Sequence, residues 1–365
     1  MAATEFTSTE DGQHFIQRLE GFPNEILSSI AKNGPQISPS TVDHLLAVIQ
    51  HDGTNTTVTA YVNELELSTL IRVGRAIQTG EPVFKNDIVD IHSFRVEGVD
   101  IPKTAGILFL FSVGWRKGMF YDFRPLPPHN QRIEYDLDQT FGRFYAQVMF
   151  QERFSISEED WGSLLKSGWF PFNSLKHDTI QTIVNYVRND WDQTELIKKV
   201  ASDLNQRIND FRQNWQRQSV FADHANILIH ALDRFVHGDY ISCVSILYPR
   251  IEGLLRSFHT AIGSTKKPLQ ENLAESAVNR YALNERCLLL PHRFQHYLKT
   301  VYFQSFDPKN SDIGCSRHSV GHGVANQQYF NQQSAILGIL VVQQLFYFFA
   351  DSDRQSRIAT TDSGA

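Results

Sequence analysis

The chain has 365 residues, 41% of them hydrophobic and 20% charged, with a net charge of −6. That length and apolar content exclude a disordered chain or a small disulfide-stapled scaffold, and they predict two or three compact units. The acidic balance excludes a global polyanion-binding surface, so any nucleic-acid site has to be a local patch.

The 26 Phe and 12 Tyr predict aromatic-rich cores. Cys243, Cys287 and Cys315, odd in number and widely spaced, do not make a disulfide framework and point to a reducing, cytoplasmic setting. The opening MAATEFTSTEDGQHF lacks the basic-then-apolar layout of a secretory leader. The most apolar stretch, AILGILVVQQLFYFFA at 335–350, is short for a bilayer and carries Gln343 and Gln344 at its centre. It is expected to be a buried helix of a soluble protein, with no membrane partner.

In chain order, residues 1–135 read as an α+β unit. Helix-like pieces fall at 13–19 and 40–50, and EPVFKNDIVDIHSFRVEGVDI suggests one or two strands. Two apolar runs follow, 107–115 and 119–123, separated by Arg116, Lys117 and Gly118. A short break containing glycine between β-branched and aromatic residues is a hairpin signal. Pro125, Pro127 and Pro128 then end the second strand.

From about 138 the hydrophobic period becomes helical. Residues 136–218 read as a helical connector. There Ser157 is an N-cap ahead of Glu158, Glu159 and Asp160, and the break at 168–171 ends that helix. Leu196, Val200, Leu204, Ile208, Phe211 and Trp215 then line one stripe of a helix of about six turns. This helix either joins the two halves or walls the second domain.

Residues 219–352 read as an all-α bundle of four to five helices joined by short loops. One helix closes at Gly238; the next opens at Asp239 and sets Tyr240, Val244, Leu247, Ile251, Leu254 and Phe258 on one face. Pro249 predicts a kink or break inside it, and Pro291 a break in the helix after it. The last and longest helix is expected from about 324. A disordered tail, 353–365, completes the chain. The expected fold class is thus α+β, with a hairpin-containing N-terminal domain before a helical bundle.

Residues 315–323, CSRHSVGHG, carry the chemistry. Cys315, His318 and His322 stand in a C-x2-H-x3-H order that would suit a zinc ion with one open position, but no H-E-x-x-H glutamate accompanies them. Alternatively, Arg317 and His322 supply what metal-free RNA cleavage needs. A guanidinium forks onto two phosphate oxygens, and an imidazole exchanges a proton near neutrality. The third reading is a polar turn in which these side chains cap neighbouring helices. From 286 to 322 the basic residues Arg286, Arg293, Lys299, Lys309 and Arg317 outnumber Asp307 and Asp312, and His292, His296, His318 and His322 lie among them. Taken alone, that stretch is expected to be a solvated helix face rather than a functional groove.

The helix containing YPRIEGLLR at 248–256, a further helical segment, and then RHSVGHG leading into a long apolar helix together resemble the HEPN family of helical bundles. That family is marked by Arg, a polar residue, three variable positions and His, here Arg317, His318, 319–321 and His322. The resemblance covers about 220–352. It implies metal-independent endoribonuclease activity of the kind found in toxin–antitoxin, abortive-infection and antiphage systems, with no cofactor. It also implies a homodimer formed through the bundle, in which two motifs face each other across the axis.

On that resemblance Arg317 stabilises the transition state and His322 is the general acid or base. His318 stands where Asn or Asp is more usual, which puts its role in doubt. Glu252 and Arg256 are second-shell candidates or a surface ion pair. RNA is the implied partner, with an antitoxin or trigger protein restraining the enzyme. Residues 1–135, which show no nuclease feature, would sense or regulate. The family also contains non-catalytic nucleotide or RNA binders and interaction modules, the competing expectation. No nucleotide-binding glycine loop of either common type is present.

Overall fold

A computed structural model describes residues 42–114, 116–127, 135–281 and 286–350, together with the backbone of 2–5. The helix expected at 13–19, Pro128 and the C-terminal tail lie outside the described residues. The molecule is α+β. It divides into two compact units: residues 1–72 with 90–155, and residues 73–89 with 156–365. The boundary expected at 135 therefore falls inside the first unit, and the expected connector, 136–218, is shared between the two.

The first unit contains a five-stranded sheet in the order β1 (Ala2–Glu5), β7 (Arg116–Asp122), β6 (Gly106–Val113), β2 (His44–His51), β3 (Thr56–Val62), every neighbouring pair antiparallel. A two-stranded ribbon pairs β4 (Leu67–Val73) with β5 (Ile88–Val96). The helix expected at 40–50 is thus a strand. As a central strand it is covered on both faces, so Leu45, Leu46, Ala47, Val48 and Ile49 are all buried and no period-2 alternation shows in the sequence.

The expected hairpin is present, but its turn lies two residues earlier. Val113 pairs with Arg116, and Gly114 takes φ +61°, which a two-residue hairpin loop demands. Gly118 sits inside β7 for a different reason: helix α1 (Leu137–Met149) packs there. A Cβ at 118 would collide with Val148 and lie 2.8 Å from Phe144 Cζ. Residues alternating along β6, namely Ile107, Phe109 and Phe111, join Phe94, Phe120, Phe141 and Phe144 in one buried cluster beneath α1. Leu108 and Leu110 serve a second cluster with Leu45, Ala47 and Met119.

The second unit is helical: α2 (Glu158–Lys166), α3 (His177–Arg188), α4 (Thr194–Arg217), α5 (Ala225–Val236), α6 (Tyr240–Ala261), α7 (Gln270–Val278), α8 (Pro291–Tyr297), α9 (Arg317–Gly321) and α10 (Gln332–Phe349). Ser157 and Asp239 cap their helices through the amides of Asp160 and Ser242, and Gly238 takes φ +74°. All six expected residues on the α4 stripe are buried, and α4 packs on α10 and α5, so it is a wall of the helical unit.

Helix α6 is the hub, touching α5, α7, α9 and α10. Pro249 does not break it. The ring is exposed, while Leu247, Ile251 and Leu254 on the opposite stripe stay buried. The helix around Pro291 is interrupted as expected: Leu290 takes φ +51°, Pro291 opens α8, and a π-helical turn, Leu298–Tyr302, follows.

Helix α10 begins at Asn331, its N-cap, rather than near 324, and both α4 and α6 are longer. Among the described residues it is the one helix long and apolar enough to cross a bilayer, and 83% of it is buried in the fold. Gln343 and Gln344 are anchored inside through their side-chain oxygens, while Gln343 Nε2 finds no partner among the described residues. Trp215 Nε1 donates to Gln343 Oε1 at 2.8 Å, and Gln344 Oε1 accepts from the Asn173 amide nitrogen at 3.0 Å.

Candidate active site

Arg317, His318 and His322 do not lead straight into the terminal helix. Arg317 and His318 open α9, a five-residue helix that His322 follows as C-cap, and residues 322–331 separate it from α10. A helix this short needs outside support. At its start the Ser316 hydroxyl accepts from the Ser319 amide at 3.1 Å, while the Ser316 amide donates to Ser319 Oγ at 2.8 Å. Ser319 Oγ also donates to the Gly314 carbonyl at 2.6 Å, and Ser319 is the buried residue of α9. At the other end His322 is the C-cap. Gly323, at φ +69°, lets its amide return to the Val320 carbonyl at 3.1 Å. Asn326 ties the flanks of this turn together, accepting from the Ile313 amide at 2.6 Å and donating to the Ser311 carbonyl at 3.0 Å.

The side chains of α9 reach two other helices. Glu252, buried on α6, accepts from Arg317 Nε through one carboxylate oxygen. Its other oxygen accepts from Arg256 Nη2 at 2.6 Å. The expected surface pair is therefore half of a bridge in which one buried carboxylate sits between two partly exposed guanidiniums. With its Nε engaged, Arg317 lays Nη1 over Gly321, 3.0 Å from where a Cβ would stand. That carries the guanidinium along the helix to the residue preceding His322.

His318 Nε2 accepts from the Gln270 amide nitrogen at 2.7 Å, which assigns its proton to Nδ1. Its ring lies parallel to that of His322, centroids 6.2 Å apart. Burial, then the nearby Arg317 and His322, hold the His318 imidazole below its ordinary pKa, with Glu252 opposing. His322 is exposed, its ring 6.0 Å from that of Phe306.

All five expected site residues thus gather around α9 and the middle of α6. Gln270 and Phe306 join them without having been singled out in the sequence. Gln270 lies 48 residues from its partner, and no spacing signals the contact.

The zinc alternative does not assemble. Cys315 Sγ donates to the Tyr329 carbonyl at 3.2 Å, and burial raises its thiol to about 11, which disfavours the thiolate a metal needs. Among the described residues no three His, Cys, Asp or Glu side chains gather as a metal-binding group. The basic stretch is also partly neutralised: Arg293 pairs with Glu158 and lies over the Trp161 ring, and Lys299 pairs with Glu271 at 3.3 Å.

No protein-family model matches the chain, and neither a curated protein nor a solved structure does. The chemistry of the site has to be read from its own geometry.

That geometry offers a fixed cation whose Nη1 and Nη2 have no partner among the described residues, an exposed imidazole on the residue after Gly321, and a second imidazole held as an Nδ1–H donor. It suits an anionic group that must be gripped and then protonated or deprotonated.

Proposed function

We propose that the helical unit is a HEPN-type, metal-independent endoribonuclease of the toxin or antiphage-defence class, acting on cytoplasmic RNA as a homodimer. The observation that carries this reading is the placement of Arg317. Glu252 anchors its Nε, and Nη1 lies over Gly321 beside His322. A guanidinium held from behind by a carboxylate keeps two donors for phosphate oxygens and loses little side-chain entropy on binding.

In the reaction an imidazole removes the proton of a ribose 2′-hydroxyl, whose oxygen attacks the adjacent phosphorus. Arg317 stabilises the charge that builds on the phosphorane. The P–O5′ bond breaks, the 5′-oxygen takes a proton, and the products are a 2′,3′-cyclic phosphate and a 5′-hydroxyl. Base and acid are both needed, which is the chemical argument for two copies of His322 meeting across a dimer axis. His318, kept neutral, donates from Nδ1 to a phosphate oxygen. None of these residues belongs to the first unit, which supports a sensing or regulatory role for it, answering to an antitoxin or trigger protein.

The test is incubation of the full chain with single-stranded RNA in EDTA. Fragments ending in cyclic phosphate are expected, and they should disappear with Arg317→Ala and with His322→Ala. RNA that is bound but never cut would replace the nuclease with a HEPN-fold binding module. Cleavage that survives both substitutions would remove the site.

A further inference from the structure

Immediately before α9 the chain forms an open cleft of about 110 Å3, lined by Gln304, Phe306, Asp307, Asn310, Asp312 and Ser316 among others. That is room for several waters or one planar ring system. Two observations join it to the site. Ser316, on its wall, is the N-cap of the helix that starts with Arg317. Phe306 lines the cleft, and its ring stands 6.0 Å from that of His322. Whatever enters the cleft lies one residue from the proposed catalytic turn.

We propose that this cleft is a base-recognition subsite that takes the guanine next to the scissile phosphate. The proposal deepens the ribonuclease reading and rests on it for its setting. Two carboxylates on the wall exclude the phosphate itself, which is left to Arg317. They call instead for a ligand edge rich in donors. The Asp312 carboxylate is already engaged, by the Tyr329 hydroxyl at 2.8 Å and the Gln328 amide at 2.9 Å.

Asp307 is not. One of its oxygens accepts from the Lys309 amide at 2.9 Å, and among the described residues the other has no partner. The Asn310 side chain accepts from the Asp312 amide at 3.0 Å, and among the described residues its own NH2 has no acceptor. Among the described residues the Gln304 side chain is likewise unpaired. A carboxylate and amide donors lining one cleft match guanine, whose N1–H and N2–H call for an acceptor and whose O6 calls for a donor. Neither uracil nor adenine offers two adjacent donors to a carboxylate, and Phe306 supplies an aromatic face for stacking.

The experiment uses the full chain in two arms. In the first, an RNA containing all sixteen dinucleotide steps is digested and the new ends are sequenced. Cleavage should favour steps containing guanine at one fixed side of the cut, by about 5- to 150-fold, the range for one bidentate base contact. Asp307→Asn keeps an oxygen for the Lys309 amide and should collapse that ratio.

In the second arm, binding of GMP, AMP, CMP and UMP is titrated on the His322→Ala protein. GMP should bind tightest, and Asp307→Asn should abolish its advantage. Cleavage without a guanine bias, or a bias untouched by Asp307→Asn, overturns the subsite and leaves the nuclease standing. Selective GMP binding with no cleavage by the wild type overturns the nuclease and keeps the subsite as a guanine site. Neither cleavage nor selective binding overturns both.

Discussion

The contact between α1 and the sheet of the first unit, and the seat of α9 in the second, fix a helix by opposite means. Under α1 the contact is shape. Phe109, Phe111, Phe141 and Phe144 interlock, with Phe111 and Phe144 edge-to-face at 5.0 Å, and Gly118 and Gly142 allow the backbones to close up. Under α9 the contact is direction. Only Ser319 of its five residues is buried, and the turn is positioned by the Ser316–Ser319 capping box, the Glu252–Arg317 pair and the Gln270–His318 bond. Substitutions beneath α1 should therefore change stability, and substitutions on α9 should change chemistry.

The largest expected effect lies on α9. Arg317→Ala or His322→Ala should slow RNA cleavage by about 10²- to 10⁴-fold, the usual worth of a proton-transfer or charge-stabilising group. His322 is exposed, so His322→Ala should move the thermal transition by no more than a degree or two, whereas Arg317→Ala leaves the buried Glu252 with Arg256 alone and should lower it by about 2–4 °C. A large fall in melting temperature would mean that the two groups act as helix caps, and the contrast would fail.

Next comes Gly142→Ala, beneath α1. The added Cβ would lie 2.8 Å from the Ser93 Cα, a backbone atom that cannot rotate away. Overpacking of this kind costs about 1–3 kcal/mol. Differential scanning calorimetry should show a lower transition for the first unit, and an unchanged transition would show that the helix–sheet spacing is slack.

Glu252→Gln probes the place where the two regimes meet, because this carboxylate is buried in the helical core yet holds the site cation. An amide is uncharged and puts an NH2 donor where one of the two accepting oxygens stood, and charge-assisted bonds of this type contribute about 1.5–3 kcal/mol each. Arg317 and Arg256 are 27% and 48% exposed, so solvent offsets part of that, and about 1 kcal/mol of stability is the expected loss. Cleavage should fall roughly tenfold as Arg317 loses its anchor, with kcat carrying the change. A change in stability alone would make Glu252 a structural residue and leave Arg317 self-supporting.

The two regions also differ in how far they can be read from sequence. Regular helices with one buried face announce themselves. The α4 stripe, the Ser157 and Asp239 caps and the Gly238 terminator all follow from local rules acting within one or two turns. Where burial is two-sided or purposes overlap, the signal fails. HLLAVIQH carries no alternation because β2 is covered on both faces, and Gly118 looks like a turn residue although its role is to admit α1. At the site, Arg317, His318, His322 and Glu252 could be singled out by chemical type and spacing. Gln270 and Phe306 could not, since they reach α9 only through the packing of α7 on α6 and the path of the 303–316 loop.

The smallest expected effect is on pH dependence, and it sharpens the same contrast because an α1-type contact has no proton to exchange. His318 is held below its ordinary pKa mainly by burial, with Arg317 and His322 adding to the shift and Glu252 opposing it. The unfolded imidazole, at about 6.5, takes up its proton first as the pH falls. The unfolded state then binds more protons than the folded one, so stability rises with pH in this window and declines as pH drops below about 6.5. His224, depressed by burial and by Arg250, contributes in the same sense. Depressed carboxylates such as Asp160 act only lower, once the pH approaches the ordinary carboxylate range. The drop in melting temperature between pH 7 and pH 5 should therefore be smaller in His318→Gln than in the wild type, and smaller again when His224→Gln is added. An identical drop in all three proteins would mean that His318 is as free to protonate in the fold as in water, and the case for it as a neutral Nδ1–H donor beside His322 would be lost.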